Sequence, residues 1–182
     1  MVRTVTSRRM AAGLAGGVIA IVANTMVLKA ADFVPVATAK GGLLRLIRPW
    51  FEPLLGKAGV THLWSAVGGP SPEAPMFQIG FHLTVGLLMA LVYALALEPA
   101  LPGRAWMKGA LYAIGMWILN AAVVLPATGE GFAGAAHLTL TGMVWFAGAH
   151  SLFFLLLALL FERFDTGGLC RRLLVQQHGP AL

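Results

Sequence analysis

Cysteine and charge are both nearly missing from this chain. One cysteine, Cys170, excludes an intramolecular disulfide and any cysteine-based metal site; beside Arg171 and Arg172 it reads as an incidental exposed thiol. Charged residues fill 11% of the 182 positions, where a soluble domain carries about 25%. Carboxylates are the scarcest, seven Asp and Glu against thirteen Lys and Arg, and none stands in the middle of a long apolar run. The intramembrane Asp or Glu that proton-coupled carriers use is therefore missing. Nor is there an HExxH, a GxSxG, a P-loop or a pair of carboxylates at catalytic spacing. No nucleophile or general base is nominated, and no catalytic residue is expected.

Four apolar runs take the place of those features, at residues 10–28, 76–97, 109–127 and 139–161. Each is close to the roughly 20 residues that a helix needs to cross a bilayer core. None has the polar stripe that a helix in water keeps. The expected fold is all-α: residues 1–182 form one domain of four transmembrane helices in an antiparallel bundle. Short connections leave no room for a second domain.

The net charge of +6 is placed at the ends of the spans, where basic residues meet anionic lipid headgroups. That placement argues against a nucleic-acid partner. Arg3, Arg8 and Arg9 before the first run imitate a secretion signal. The run is long enough to span and no small-x-small cleavage site follows it, so a retained first helix is expected. Counting Lys and Arg in short connections puts Arg3, Arg8, Arg9, Arg104, Lys108, Arg163, Arg171 and Arg172 on the cytoplasmic side. Lys40, Arg45, Arg48 and Lys57 then lie outside, with Lys29 at the outer boundary. The expected location is the bacterial inner membrane, with both termini and the basic tail, 162–182, in the cytoplasm.

The long loop 31–75 carries Leu43, Leu44, Ile47, Trp50, Phe51, Leu54 and Leu55 on one helical face and Arg45, Arg48 and Glu52 on the other. This is the pattern of an interfacial helix lying in the membrane surface. Pro49 and Pro53 predict two short pieces rather than one rod. Trp64 fits an interfacial depth, and Gly68-Gly69-Pro70-Ser71-Pro72 reads as a linker. Small residues predict close helix packing: Gly13, Gly16 and Gly17 in the first span, Gly80, Thr84 and Gly86 in the second, Gly142, Ala147 and Gly148 in the fourth. The Gly13/Gly17 pair suits packing inside the bundle as well as dimerisation.

A polar side chain in lipid is costly and needs a reason. The candidates form an intramembrane polar seam of Asn24, His82, Tyr93, Asn120 and His150. At about 1.5 Å per residue, Asn24, His82 and Asn120 lie about 9 Å below the outer ends of their spans, and His150 about 16 Å. Three of them can thus share one layer. One reading makes them hydrogen-bonded registers between helices, worth on average about 0.6 kcal/mol each. The other makes His82 and His150 the lining of a ligand, ion or haem b site. A two-haem cytochrome needs a second thirteen-residue histidine spacing beside His137 and His150; His62 and His82 are twenty apart, so only a single haem between His82 and His150 survives.

The order of residues also resembles a family. His82-Leu-Thr-Val-Gly86 leads through Ala90 to Tyr93; a Pro/Gly turn and a helix with Gly109, Gly115, Trp117, Asn120 and Pro126 follow, then a last helix with Ala149-His150. Over 78–161 this resembles the small YagU-like multi-pass proteins of the bacterial inner membrane. Ala90 stands where that pattern has Gly, and no Gly follows His150 by four. The resemblance implies a multi-pass membrane protein tied to acid or envelope stress, with no established reaction, and it points to His82, Tyr93 and His150. The resulting expectation is an envelope-related protein or accessory subunit without a cofactor. Its partners are the bilayer, anionic headgroups and other membrane subunits or further copies of itself.

Overall fold

The computed structural model describes residues 2–34, 36 and 42–165, and among these the chain forms helices and no strand. In order they are α1 (Val2–Ala30), a 3-10 turn (Ala31–Phe33), α2 (Gly42–Lys57), α3 (Val60–Ala66), α4 (Pro75–Ala100), α5 (Ala105–Ala127), a second 3-10 turn (Phe132–Gly134) and α6 (Leu140–Phe164). Four stretches are long and apolar enough to cross a membrane: Val5–Phe33, Pro75–Ala100, Ala105–Ala127 and Leu140–Phe164. Lys40, Cys170, Arg171, Arg172 and the tail beyond Asp165 lie outside the described residues, as do the side chains of Arg3, Arg45, Trp50 and Phe51.

Their surfaces fit that length. The buried positions are mostly small or aromatic, with Ala20, Ala90, Ala94 and Ala158 at 0% exposure and Tyr93, Phe153, Phe154 and Phe161 at 1–3%, joined by Leu157 at 0%. Many β-branched and leucine side chains face outward: Val18, Ile19, Val22, Leu88, Leu111, Ile114 and Ile118 are all about half exposed. In water such a coat would be an aggregation surface; against lipid it costs nothing.

Helix α1 packs on both α4 and α6, and α5 packs on α6. Small residues set the first contact. A Cβ added to Gly17 would lie 2.5 Å from the Ala90 Cβ, one on Gly13 would lie 2.6 Å from the Ala94 Cβ, and one on Gly86 would meet Ile21 at 2.5 Å. The Gly13/Gly17 pair is thus filled from within the chain. Gly109 makes the equivalent approach of α5 to α6, against the Phe154 carbonyl.

The short connection between α4 and α5 predicts adjacent backbones, yet these stay apart. Side chains bridge the gap at one end: the Tyr93 and Tyr112 rings stack 6.1 Å apart, and the Tyr112 hydroxyl donates to the Met89 carbonyl at 3.3 Å.

Both helices contain a π turn, Tyr93–Leu97 in α4 and Asn120–Val124 in α5. Each is followed two residues later by proline, Pro99 and Pro126. A proline has no N–H for the carbonyl four residues back and its ring crowds that carbonyl; widening the turn relieves both. Read from sequence, Glu98-Pro99 ends the second span. In the structure the helix runs on to Ala100.

Helix α2 is also continuous through Pro49 and Pro53, against the expected break. The two prolines are four apart and both exposed, so the missing hydrogen bonds fall on one open face. The break comes instead at Gly59, with φ 73°. Arg48 ties α2 down by pairing with Glu52 and with Glu73, just before α4. The Arg48 guanidinium holds the Glu73 carboxyl below the ordinary glutamate value. A lowered folded-state value means the tether is complete above the ordinary value and is lost as pH falls through the lowered one. Hydrogen-exchange protection factors in α2, corrected for the intrinsic pH dependence of exchange, should therefore stay flat on mild acidification and fall only in stronger acid. Glu73→Gln should remove that acid step.

Candidate functional site

The end of the fold where α1 stops and α4 begins holds a partly open cavity of about 450 Å³. Its walls come from α1, α4, α5 and α6, and Leu43 and Leu44 of α2 reach it from above. Most of the lining is apolar or aromatic, including Ile79, Phe81, Met89, Trp117, Phe146 and Phe153. Into this lining project Asn24, His82, Asn120 and His150.

Three of them are linked by bonds whose direction is fixed. The Asn24 Nδ2 donates to the Ala149 carbonyl at 2.8 Å. A carbonyl can only accept, so this bond orients the amide and turns Oδ1 toward His82. His82 Nε2 lies 2.9 Å from that oxygen and must therefore carry its proton. By the same logic His150 Nδ1 donates to the Phe146 carbonyl at 2.8 Å. Each ring is left with one further nitrogen, Nδ1 of His82 and Nε2 of His150, with no hydrogen bond to a described residue. The two rings stand 6.5 Å apart between centroids, nearly perpendicular.

The fold makes this arrangement affordable. Ala149 is small enough, at 1% exposure, for the buried Asn24 to reach across from α1 to the α6 backbone. One turn further, the Trp145 Nε1 donates to the Val27 carbonyl at 3.0 Å and pins the same pair of helices.

No family model, curated protein or solved structure matches the chain. The geometry alone therefore carries the functional reading.

Of the five residues in the predicted seam, Asn24, His82 and His150 come together and Asn120 lines the same cavity, where it opens the π turn of α5. Tyr93 does not join them. It is buried beyond the cavity, stacked on Tyr112 and edge-on to Phe161. The seam facing α1 runs in four-residue steps through Gly86, Ala90 and Ala94, wider than the 3.6 of an ideal helix, and leaves Tyr93 to one side. The His82 and His150 rings come within 6.5 Å of each other despite the estimated difference in depth, with the His150 ring folded back over its own preceding turn to reach Phe146. His137 precedes α6 in the loop and pairs with Glu130 at 2.9 Å, so it does not share a helix with His150. Among the described residues no three His, Cys, Asp or Glu converge as metal ligands.

A second polar cluster, which reading the sequence missed, lies at the opposite end of α4. Arg9 pairs with one Glu98 carboxylate oxygen, and its Nε donates to the Ala94 carbonyl at 3.0 Å, inside the π turn. Lys108 donates to the other carboxylate oxygen at 2.9 Å and to the Glu98 backbone carbonyl at 2.7 Å, and is only 4% exposed. The sequence carries a faint sign of it: two cations and one carboxylate fall at equivalent ends of three spans.

Proposed function

We propose that this chain is an integral protein of the bacterial inner membrane that binds a lipophilic small molecule in the cavity between its helices. In this reading the four long helices form an antiparallel bundle with both termini in the cytoplasm, and the cavity opens at the outer end. Short basic connections support that orientation, and the apolar outer faces support the membrane setting. The amphipathic α2 then lies against anionic headgroups.

One observation carries the binding role. A purely structural polar group in lipid should spend its hydrogen bonds between helices. Asn24 does so. Among the described residues, the only hydrogen bond His150 makes is to its own helix, so it costs desolvation and gains the fold little. His82 likewise lines the cavity with one ring nitrogen that bonds no described residue. Packing accounts for Asn24; a ligand accounts for the two histidines.

Haem is the second reading. Two imidazoles on one metal, at roughly 2 Å per bond, place their rings about 6 Å apart, near the observed spacing. Against it, Asn24 occupies His82 Nε2 and leaves only Nδ1, which sits beside its own Cβ and crowds a planar macrocycle. The residues as arranged do not fit haem. The resemblance to YagU-like proteins rests on the same histidines, and an accessory, non-enzymatic role in envelope physiology fits a binding protein without a nucleophile.

The test is purification in mild detergent, an absorption spectrum, and solvent extraction with mass spectrometry of what is retained. A featureless visible spectrum with a co-extracted lipophilic compound, reduced at least tenfold in His150→Phe, is expected. A fold-competent protein that retains and binds nothing overturns the proposal, and a Soret band lost in His82→Ala replaces it with haem.

A further inference from the structure

We propose that the ligand is an aromatic ring bearing hydroxyl groups on a hydrocarbon tail, the chemistry of a lipid-soluble hydroquinone. This rests on the ligand-pocket reading above. The tautomers fixed by Asn24, Ala149 and Phe146 leave the histidine pair with lone pairs alone. His82 Nδ1 and His150 Nε2 accept and do not donate. A partner must therefore bring O–H or N–H groups. A carbonyl oxygen in the same place would set lone pair against lone pair, so the oxidised quinone and the methyl ethers of the ring are disfavoured.

Of the other polar groups on the lining, the exposed Lys29 and Asp32 pair with each other at 3.5 Å. The Thr25 hydroxyl donates to the Ile21 carbonyl and the Gln78 amide nitrogen to the Glu73 carbonyl. Asn120 offers both functions and suits a second hydroxyl on the ring. The shape points the same way. Phe81, Trp117, Phe146, Phe153 and Phe154 contribute flat walls, against which a planar ring stacks. A cavity of about 150 Å³ suffices for a benzene ring, so about 450 Å³ also takes the first part of a tail. The backbones of α4 and α5, which flank the cavity, keep apart, and a flexible chain can pass between them. No redox step is assigned, since binding alone explains the acceptors.

The experiment uses the full chain in lipid nanodiscs, anaerobic, with a decyl-substituted benzohydroquinone, its dimethyl ether and the corresponding benzoquinone. Binding is read by isothermal titration. The hydroquinone should bind at least tenfold more tightly than either analogue. His150→Phe, which removes an acceptor and no bond between helices, should reduce that preference to within about threefold while the protein stays folded by circular dichroism. Equal binding of hydroquinone and ether would overturn the assignment of ligand chemistry and leave the pocket intact. Failure of all three probes, together with an apolar fluorescent dye, would overturn the pocket itself.

Discussion

Glu98→Ala is expected to destabilise the protein by about 3–5 kcal/mol, the range found when one partner of a buried ion pair is removed. The carboxylate lies between two cations, Arg9 and Lys108, whose side chains are 20% and 5% exposed. Without it the two positive groups face each other in a place that water barely reaches, and only the Ala94 and Glu98 carbonyls remain as acceptors. Lys108→Met should cost less, because Arg9 still neutralises Glu98. The double variant Glu98→Ala with Lys108→Met should recover more than half of the loss, since it removes opposite charges together. Thermal unfolding in a fixed detergent, with the four proteins compared as a cycle, measures the coupling. If Glu98→Ala unfolds with the wild type to within about 0.5 kcal/mol, the level of an ordinary surface change, the cluster adds no stability.

This cluster shows where the sequence stops being legible. The four apolar runs are visible because length and lack of charge are local properties, and the structure places helices over all four. Asn24, His82 and His150 are visible because a polar residue in an apolar run is conspicuous by itself. Facing is different, because it depends on accumulated rotation. At about 100° per residue, Glu98 lies sixteen residues and about 160° from His82, on the far side of an ideal helix. The π turn takes in one extra residue and returns it to about 60°, toward the α1 side where Arg9 waits. Nothing in the composition of Tyr93–Leu97 announces a π turn; Pro99 does so only once the helix is known to continue past it. The same rotation leaves Ala94, not Tyr93, on the α1 seam. Loop length is a poor guide to which helices are neighbours. A short loop keeps α4 and α5 close at one end, but the small residues that draw backbones together lie between α1 and α4 and between α5 and α6.

Gly17→Leu tests that seam and should be as damaging as the loss of Glu98. The Gly17 Cβ position is 2.5 Å from the Ala90 Cβ. Neither atom has a rotamer with which to escape, so the two helices themselves must part. Overpacking typically costs about 1–3 kcal/mol, and more where the backbone has to move; a branched side chain here belongs at or above the upper end. The separation also spreads. Gly13 against Ala94 and Gly86 against Ile21 are the next contacts along the same two helices, and the Asn24–His82 bond follows them. Ligand affinity should therefore fall with stability, although Gly17 touches nothing in the cavity. Gly17→Ala gives the milder version, and adding Ala90→Gly should restore both properties by returning the space. Gly80→Ala is the control, because an added Cβ there meets nothing within 4 Å; it should stay within about 0.5 kcal/mol of wild type. Equal unfolding temperatures for Gly17→Ala and Gly80→Ala would mean that α1 and α4 do not meet along this face, and would take the geometry of the histidine site with them.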